Sequence, residues 1–396
     1  MALMSVADAL ARVVDGVIPV EAEHIPVEEA GGRILAQDLF ALRTQPPFDA
    51  SAMDGYAVRS EDAAQTPVRL EIAGGVAAGR AALHPVGPMQ AVRIFTGAPV
   101  PAGADAIVIQ ENTRSPEPGF IDILQPAQQG AHIRTRGYDF REGECLLSAG
   151  EQLSARHTML AAAMNHARVP VRRKPIVSMI ATGDELVPPG SEPGPAQIVS
   201  SIPAGLAAAI AAWGGTPHLI GIARDNLESL RGGIAKAAHA DVLVTTGGAS
   251  VGDHDLVREA LLAVGLQLDL WKIAMRPGKP LMYGRLARQR VLGFPGNPVS
   301  AMVCARIFLK PLIQALLGLP CADDRIHLAL AEPLDANGER EHYMRGVASS
   351  GEVRALPDQD SSLMRLLAQA NCLIIRAARA PAAAAGSMVP VLPLEF

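Results

Sequence analysis

The sequence predicts a multidomain protein of mixed α/β and β class. A central α/β domain with a mainly parallel sheet is joined by an inserted β-rich domain, a discontinuous helical N-terminal domain and a small C-terminal β-barrel. Three observations carry this. The chain has 396 residues, 49% of them hydrophobic, which exceeds one ordinary domain and supplies several cores. Between 174 and 319, apolar strand, glycine loop and amphipathic helix alternate. On either side, short β-prone runs are punctuated by proline and glycine. The expected domains are 1–46 with 140–173, then 47–139, 174–319 and 320–396.

Taken in order, SVADALARVVDGV has helical spacing, and VEEAGGRILAQDL predicts a second, shorter helix broken by Gly31 and Gly32. The runs PVRLEIA, AVRIFTG, ADAIVIQE and GFIDILQP read as strands of a small β module. Helical texture resumes in EQLSARHTMLAAAMNHA, so the helical pieces flanking the module are expected to pack together. Next come PIVSMIATGDEL, AGLAAAIAAWGG, HLIGIARD, DVLVTTGGASVGDHD and LVREALLAVG, strands and helices in turn. Continuous apolar strands between helices imply a parallel sheet covered on both faces, with ligands at the strands' carboxyl ends. The tail, with IHLALAEPL, HYMRGVA, EVRALP, NCLIIRAA and VPVLPLEF, suggests a barrel or sandwich, and AARAPAAAAGS a surface loop.

Several function classes are disfavoured. Apolar runs such as GLAAAIAAWGG stop short of the ~20 residues that cross a bilayer, and the N-terminus is amphipathic. No membrane partner and a cytoplasmic location are the expectation. Cys145, Cys304, Cys321 and Cys372 are scattered without ligand spacing, which indicates buried thiols. A net charge of −5 and 4% aromatic residues argue against a nucleic-acid surface.

Four loops of the α/β region carry unusual residues: TGDEL (182–186), TTGGASVGD (245–253), MRPGKP (275–280) and GFPGNPVS (293–300). Their glycines permit close approach of N–H groups to an anion, and a following helix start adds positive potential. Asp184, Glu185, Asp253 and Asp255 would repel a bare phosphate but suit a divalent cation bridging to it. Taken singly, Asp253 could equally cap a helix and Asp184 close a turn, and His254 fits a helix start better than a metal. Two further stretches stand out. PPFDASAMDGYAV holds Asp49 and Asp54, and HIRTRGYDFREGE sets Arg134, Arg136 and Arg141 near Asp139. Each reads as a solvated hinge or as one side of an oxyanion site.

In that order, FDASAMDGYAV, IFTGAPVPAGADAIVIQE, IRTRGYD, MIATGDEL, TTGGASVGDHD, RPGKP and GFPGNPVSA resemble the molybdopterin molybdenumtransferase (MoeA) family, which includes the gephyrin E domain. The resemblance implies a homodimer of elongated, four-domain subunits, whose α/β domain has the molybdopterin-binding fold. It implies molybdenum insertion into adenylylated molybdopterin, with molybdate as co-substrate, a divalent cation such as Mg²⁺, and release of AMP. By motif, Asp54, Thr96, Asp139, Glu185, Asp255 and Lys279 match catalytic positions, with Glu185 and Asp255 towards the metal. Arg134, Arg136, Gly247, Gly248, Ser250, Arg276, Pro295, Gly296, Asn297, Arg345 and Ser361 match the substrate-binding side. Molybdopterin adenylyltransferase and molybdoenzyme targets become candidate partners.

The chain departs from the family pattern at four places. Ala50 replaces a common asparagine, Arg276 a lysine, Ile202 a polar residue in the run after Ser200 and Ser201, and Asp360 adds charge before Ser361. Two other readings compete: a non-catalytic scaffold of the gephyrin type, and molybdopterin adenylyltransferase activity. Retention of Asp54, Thr96, Glu185, Asp255 and Lys279 speaks against the first. The GGASVGDHD loop and the flanking domains speak against the second.

Overall fold

The computed structural model describes residues 3–80, 83–247, 256–321 and 323–394. The chain forms two units, His24–Val171 and the combination of Met1–Glu23 with Arg172–Phe396.

In His24–Val171, a six-stranded sheet has the order Ala106–Ile109, Gly55–Val58, Gln90–Ile94, Val68–Val76, Phe120–Ile123, Thr113–Arg114. Side chains alternate across it, so Ala57 and Ile107 face one core while Val58 and Val108 face another. A third core draws Ile25, Leu35 and Leu39 from before the sheet together with Phe140, Leu147, Leu153 and Val169 from after it. The helix Ala155–Ala163 starts at Ser154, which exchanges capping-box bonds with His157. Residues 27–39, expected to be a helix, form only the 3₁₀ turn Val27–Glu29. Gly32 takes φ +78°, which ends the turn, and the buried Ile34 and Leu35 then bridge to Gln152 and Val171. Extended backbone there lets consecutive apolar residues pair with two different neighbours.

The other unit holds a sheet of order Thr216–Ala223, Ile176–Thr182, Val242–Thr246, Gln289–Phe294, Met282–Leu286, Gln267–Trp271. The first four strands are parallel. Met282–Leu286 runs against them and Gln267–Trp271 runs against it, so five strands share one direction. All of Val242–Thr246 is buried, as a strand covered on both faces must be. Pro298–Leu316 is apolar and long enough to cross a membrane, but 83% of its most apolar window is buried in the protein. A π-helical turn, Ala305–Leu309, precedes Pro311, where a missing N–H and the ring's bulk disturb regular α-helical bonding.

The helix Val6–Val14, capped by Ser5, also belongs to this unit, whereas Ala155–Ala163 belongs to the other. Buried Tyr283 donates to the Val13 carbonyl at 3.1 Å, and Arg290 donates to Tyr283 at 2.7 Å and to the Gly16 carbonyl at 2.6 Å. Those three bonds fasten the end of the helix to the sheet.

Beyond residue 325 the chain closes a five-stranded barrel: Glu341–Ser349, Glu352–Ala355, Ile326–Leu330, Met388–Pro393, Cys372–Arg376. Closure occurs because Glu341–Ser349 pairs with both Glu352–Ala355 and Cys372–Arg376. A sixth strand, Met275–Arg276, comes from the α/β region and pairs Arg276 with His342.

Gly55 gives a direct test of the packing in the β module. A Cβ there would lie 2.0 Å from the Val108 carbonyl oxygen, a backbone atom that cannot swing aside. Gly55→Ala is expected to cost about 3 kcal/mol, read by calorimetry and by faster hydrogen exchange in Ala106–Ile109.

Candidate functional site

The register fixes where the loops go. Ile176–Thr182, Val242–Thr246 and Gln289–Phe294 run side by side, with Ala181 opposite Thr246 and Thr246 opposite Phe294. Met282 pairs with Gly293 and with Trp271, so residues 272–281 turn at the same edge. Thr182 pairs with Ala223, which brings Arg224 and Asp225 there as a fifth loop. Sequence reasoning took ARD as the tail of a strand. The available signal was the charge pair followed by Asn226, whose side chain caps the next helix through Ser229 N–H at 2.8 Å.

At this edge the loops touch through glycine. A Cβ on Gly247, at φ +88°, would fall 2.5 Å from the Thr182 carbonyl oxygen, and one on Gly296 would lie 3.5 Å from Gly247 Cα. Gly247 N–H donates to the Phe294 carbonyl at 3.2 Å. Gly278, at φ +104°, lets the 272–281 loop lie on Pro298–Cys304, because a Cβ would be 2.6 Å from Cys304 Sγ. Gly248, Ser250, Asp253, His254 and Asp255 lie outside the described residues.

The two neighbouring acids behave differently. Asp184 accepts from Asp225 N–H at 3.3 Å, and the Arg224 guanidinium donates to its carbonyl at 3.1 Å, so Asp184 closes a turn. Glu185 is exposed, folds back over Gly183, and has no side-chain partner among the described residues. Arg276 and Lys279 are also exposed and without carboxylate partners among the described residues. An acid and two cations without charged partners among the described residues therefore share one edge. Among the described residues no cluster of three His, Cys, Asp or Glu side chains could by itself hold a metal.

The barrel contributes the loop 358–363. Asn297 Nδ2 donates to Ser361 Oγ at 2.9 Å, and Val299 N–H to the Ser361 carbonyl at 3.2 Å, so Ser361 meets the GFPGNP turn. Arg345 is 1% exposed and donates to the carbonyls of Asp358, Asp360 and Leu363 at 3.0, 2.9 and 3.1 Å. Its guanidinium therefore shapes the loop that presents Ser361 and faces no open surface. Asp360 accepts from Ser362 N–H and Oγ, which hold its carboxyl below the usual range. Ile202 lines an apolar cavity of ≈390 Å³ with Pro298, Met302, Met364 and Leu367. A second cavity of ≈450 Å³, with Leu186, Pro188, Ser200, Leu219 and Arg224 in its wall, adjoins the edge.

The second set of candidates lies in His24–Val171. Asp54 Oδ1 accepts from Thr96 N–H and from Thr96 Oγ1, each at 2.8 Å. The backbone bond, then the hydroxyl bond, with the Arg93 charge as a smaller help, depress the Asp54 pKa. Arg134 pairs with Ala50 across a short antiparallel ladder, while Arg136 N–H donates to Asp49 at 2.7 Å and its Nε to the Pro47 carbonyl at 3.2 Å. Ala52 N–H bonds the His132 carbonyl and Gly97 N–H the Ser51 carbonyl, both at 2.8 Å, which interlocks the three loops. Asp54, Thr96, Arg134, Arg136 and Asp139 are all exposed on them or beside them.

Comparison with known proteins adds three family matches in chain order. Residues 4–165 match the MoeA N-terminal region (domain I and II), 178–315 the probable molybdopterin binding domain, and 327–394 the MoeA C-terminal region (domain IV). A molybdopterin molybdenumtransferase of Nostoc sp. is 38% identical over 336 residues, covering 82% of this chain and 77% of that protein. One of Haemophilus influenzae is 33% identical over 385 residues, covering 95% of each. The molybdopterin biosynthesis MoeA protein of Pyrococcus horikoshii superposes with TM-score 0.88 at 31% identity, covering 100% of both chains.

Because Thr96 supplies both bonds that depress the Asp54 pKa, Thr96→Val removes one and leaves the other. Asp54 should stay ionised to lower pH in the wild-type chain than in Thr96→Val, whose titration midpoint moves up. Carboxyl-carbon NMR against pH reads the shift, and equal midpoints would contradict it.

Proposed function

The chain belongs to the molybdopterin molybdenumtransferase family, whose enzymes insert molybdenum in molybdenum-cofactor biosynthesis, and from that premise we propose how its own residues serve the reaction. The substrates are adenylylated molybdopterin and molybdate, and the products are AMP and the molybdenum-loaded pterin dithiolene. The observation that carries the reading is the single sheet edge that holds the Gly247 and Gly296 turns together with the loops of Glu185, Arg276 and Lys279, three exposed charges without charged partners among the described residues.

The pyrophosphate of the substrate lies against the glycine turns, with Pro295, Gly296 and Asn297 on one side and Gly247 on the other. Arg276 and Lys279 offset the negative charge of phosphate and molybdate, and do so more strongly as charge builds on the leaving phosphate. Glu185, exposed and without a side-chain partner among the described residues, would hold a divalent cation such as Mg²⁺ through hard carboxylate oxygen, with Asp255 as a second such ligand. When bound, that ion would screen the pyrophosphate charge. Ser361, fixed by Asn297 and by the loop that Arg345 shapes, offers a hydroxyl to the same ligand.

Asp54, kept ionised by Thr96, acts from the second subunit of a homodimer, where it orients water or molybdate while Arg134 and Arg136 grip the oxyanion and Asp139 assists. Water adds its oxygen to the adenylyl phosphorus, the phosphoanhydride bond breaks, and AMP departs. The enzyme works in the cytoplasm, receiving substrate from molybdopterin adenylyltransferase and passing product to molybdoenzymes.

Asp54→Ala and Glu185→Ala are each expected to lower molybdate-dependent AMP release by about 100-fold or more, with the far-UV spectrum and melting temperature retained. AMP release within twofold of wild type in either variant would remove that residue from the mechanism.

A further inference from the structure

At the opposite edge of the α/β sheet from the glycine turns, two histidines meet. His218 pairs with Ser178 near the amino ends of Thr216–Ala223 and Ile176–Thr182. His239 lies in the turn between the helix Leu227–Lys236 and the strand Val242–Thr246. Their ring centroids are 4.9 Å apart, with the planes tilted by 58°. Both rings are held in place. His218 Nδ1 lies 2.9 Å from the Oγ of Ser178, which is fully buried. Buried Gln289 donates from Nε2 to the carbonyls of Ala237 and Ala240 at 2.7 and 3.0 Å, and Ala240 N–H bonds the Ala237 carbonyl at 3.0 Å. The backbone on either side of His239 is thereby pinned. The described residues give neither His218 Nε2 nor the His239 ring a hydrogen-bond partner.

Two imidazoles that bind one tetrahedral ion through bonds of ~2.1 Å put their ring centroids about 5 Å apart, which is the separation of this pair. An ion on His218 Nε2 leaves the proton on Nδ1, which then donates to Ser178 Oγ. Such a partner fixes the tautomer of a ligating ring and raises its basicity. Asp241 follows closely in the chain but is committed elsewhere, since it accepts from both Arg173 Nη atoms and from Ile176 N–H, each at 2.7 Å. Among the described residues no third His, Cys, Asp or Glu joins the pair, so water would fill the remaining positions. Neutral nitrogen donors suit a transition ion of borderline softness, whereas Mg²⁺ takes oxygen.

We propose that His218 and His239 form a binding site for a divalent transition ion such as Zn²⁺, which ties the edge strand Thr216–Ala223 to the end of the helix Leu227–Lys236. The site is separate from the divalent cation of the reaction and does not rest on that reading: its donors are nitrogen, and its strands present their amino ends rather than the carboxyl ends that carry the glycine turns.

The test is calorimetric titration of the untagged, full-length protein with zinc chloride in saturating Mg²⁺, after alkylation of the exposed thiols Cys145 and Cys321. Wild type should take up one zinc ion per chain, His218→Ala and His239→Ala should each lose it, and Ser178→Ala should bind about tenfold more weakly. His239 is exposed, so His239→Ala keeps the fold and carries the test even where a variant at Ser178 or His218 does not fold. In wild type, the imidazole NMR signals of His218 and His239 should move together at the calorimetric midpoint. Zinc uptake unchanged in His239→Ala, no uptake by wild type, or ring signals that zinc leaves in place would overturn the site. Release of the ion by excess Mg²⁺ would overturn the choice of metal.

Discussion

The parallel register of Ile176–Thr182, Val242–Thr246 and Gln289–Phe294 is the constraint from which the rest follows. Parallel strands have to be linked by crossovers, so every loop that leaves a carboxyl end arrives at one edge. The two antiparallel strands appended at Met282–Leu286 and Gln267–Trp271 keep that rule, since two reversals restore the original direction. The same register demands cover on both faces. The buried Pro298–Leu316 helix supplies part of that cover, and the tethered Val6–Val14 helix joins the same unit.

Charge at the edge is sorted by which groups already have partners. Asp184 and Arg224 satisfy one another's loops, which removes them from the inventory available to a ligand. Glu185, Arg276 and Lys279 are exposed and have no charged partner among the described residues. A chain of net charge −5 attracts an anion only where such local cations are unneutralised, so the pairing pattern matters more than the overall charge. Arg345 shows the opposite outcome, a guanidinium whose three carbonyl bonds commit it to shaping a loop.

The fold was legible wherever periodicity was long. VLVTT, IVSMIAT and the β module's alternating runs announced their strands because burial on two faces or one leaves a distinct pattern. Residues 27–39 misled because Ile34 and Leu35 mimic a helical stripe, and bridges to Gln152 and Val171, far apart in sequence, decide their conformation. The glycine turns were legible for the same local reason that makes them work: Gly247 and Gly296 stand where a Cβ would crowd a neighbour. Arg345 was legible only as a motif residue. Its partners are main-chain carbonyls, and no side-chain pattern reports those. Arg224 and Asp225 escaped notice because the charge pair before the capping Asn226 reads as the tail of an apolar strand.

Three departures from the family pattern have local compensation. Ala50, 5% exposed, sits opposite Arg134 and bridges Pro99, a tight place that suits a small side chain. Asp360 is held by Ser362, so its charge is engaged within its own turn before it reaches Ser361. Ile202 opens its helix with Pro203 behind it and faces Pro298, Met302 and Met364 across an apolar cavity. A polar residue there would look onto thioethers and methyl groups with few partners, and the cost of leaving it unpaired favours isoleucine. Any hydrogen bond that the family draws from that position therefore has to come from a neighbour. Ser201 already donates to Met364 Sδ at 3.3 Å, whereas Ser200 and Arg224 line the adjoining cavity. The loss of polarity at Ile202 thus leaves the barrel-facing side of the helix start apolar, while the polar groups Ser200 and Arg224 stand in the wall of the other cavity.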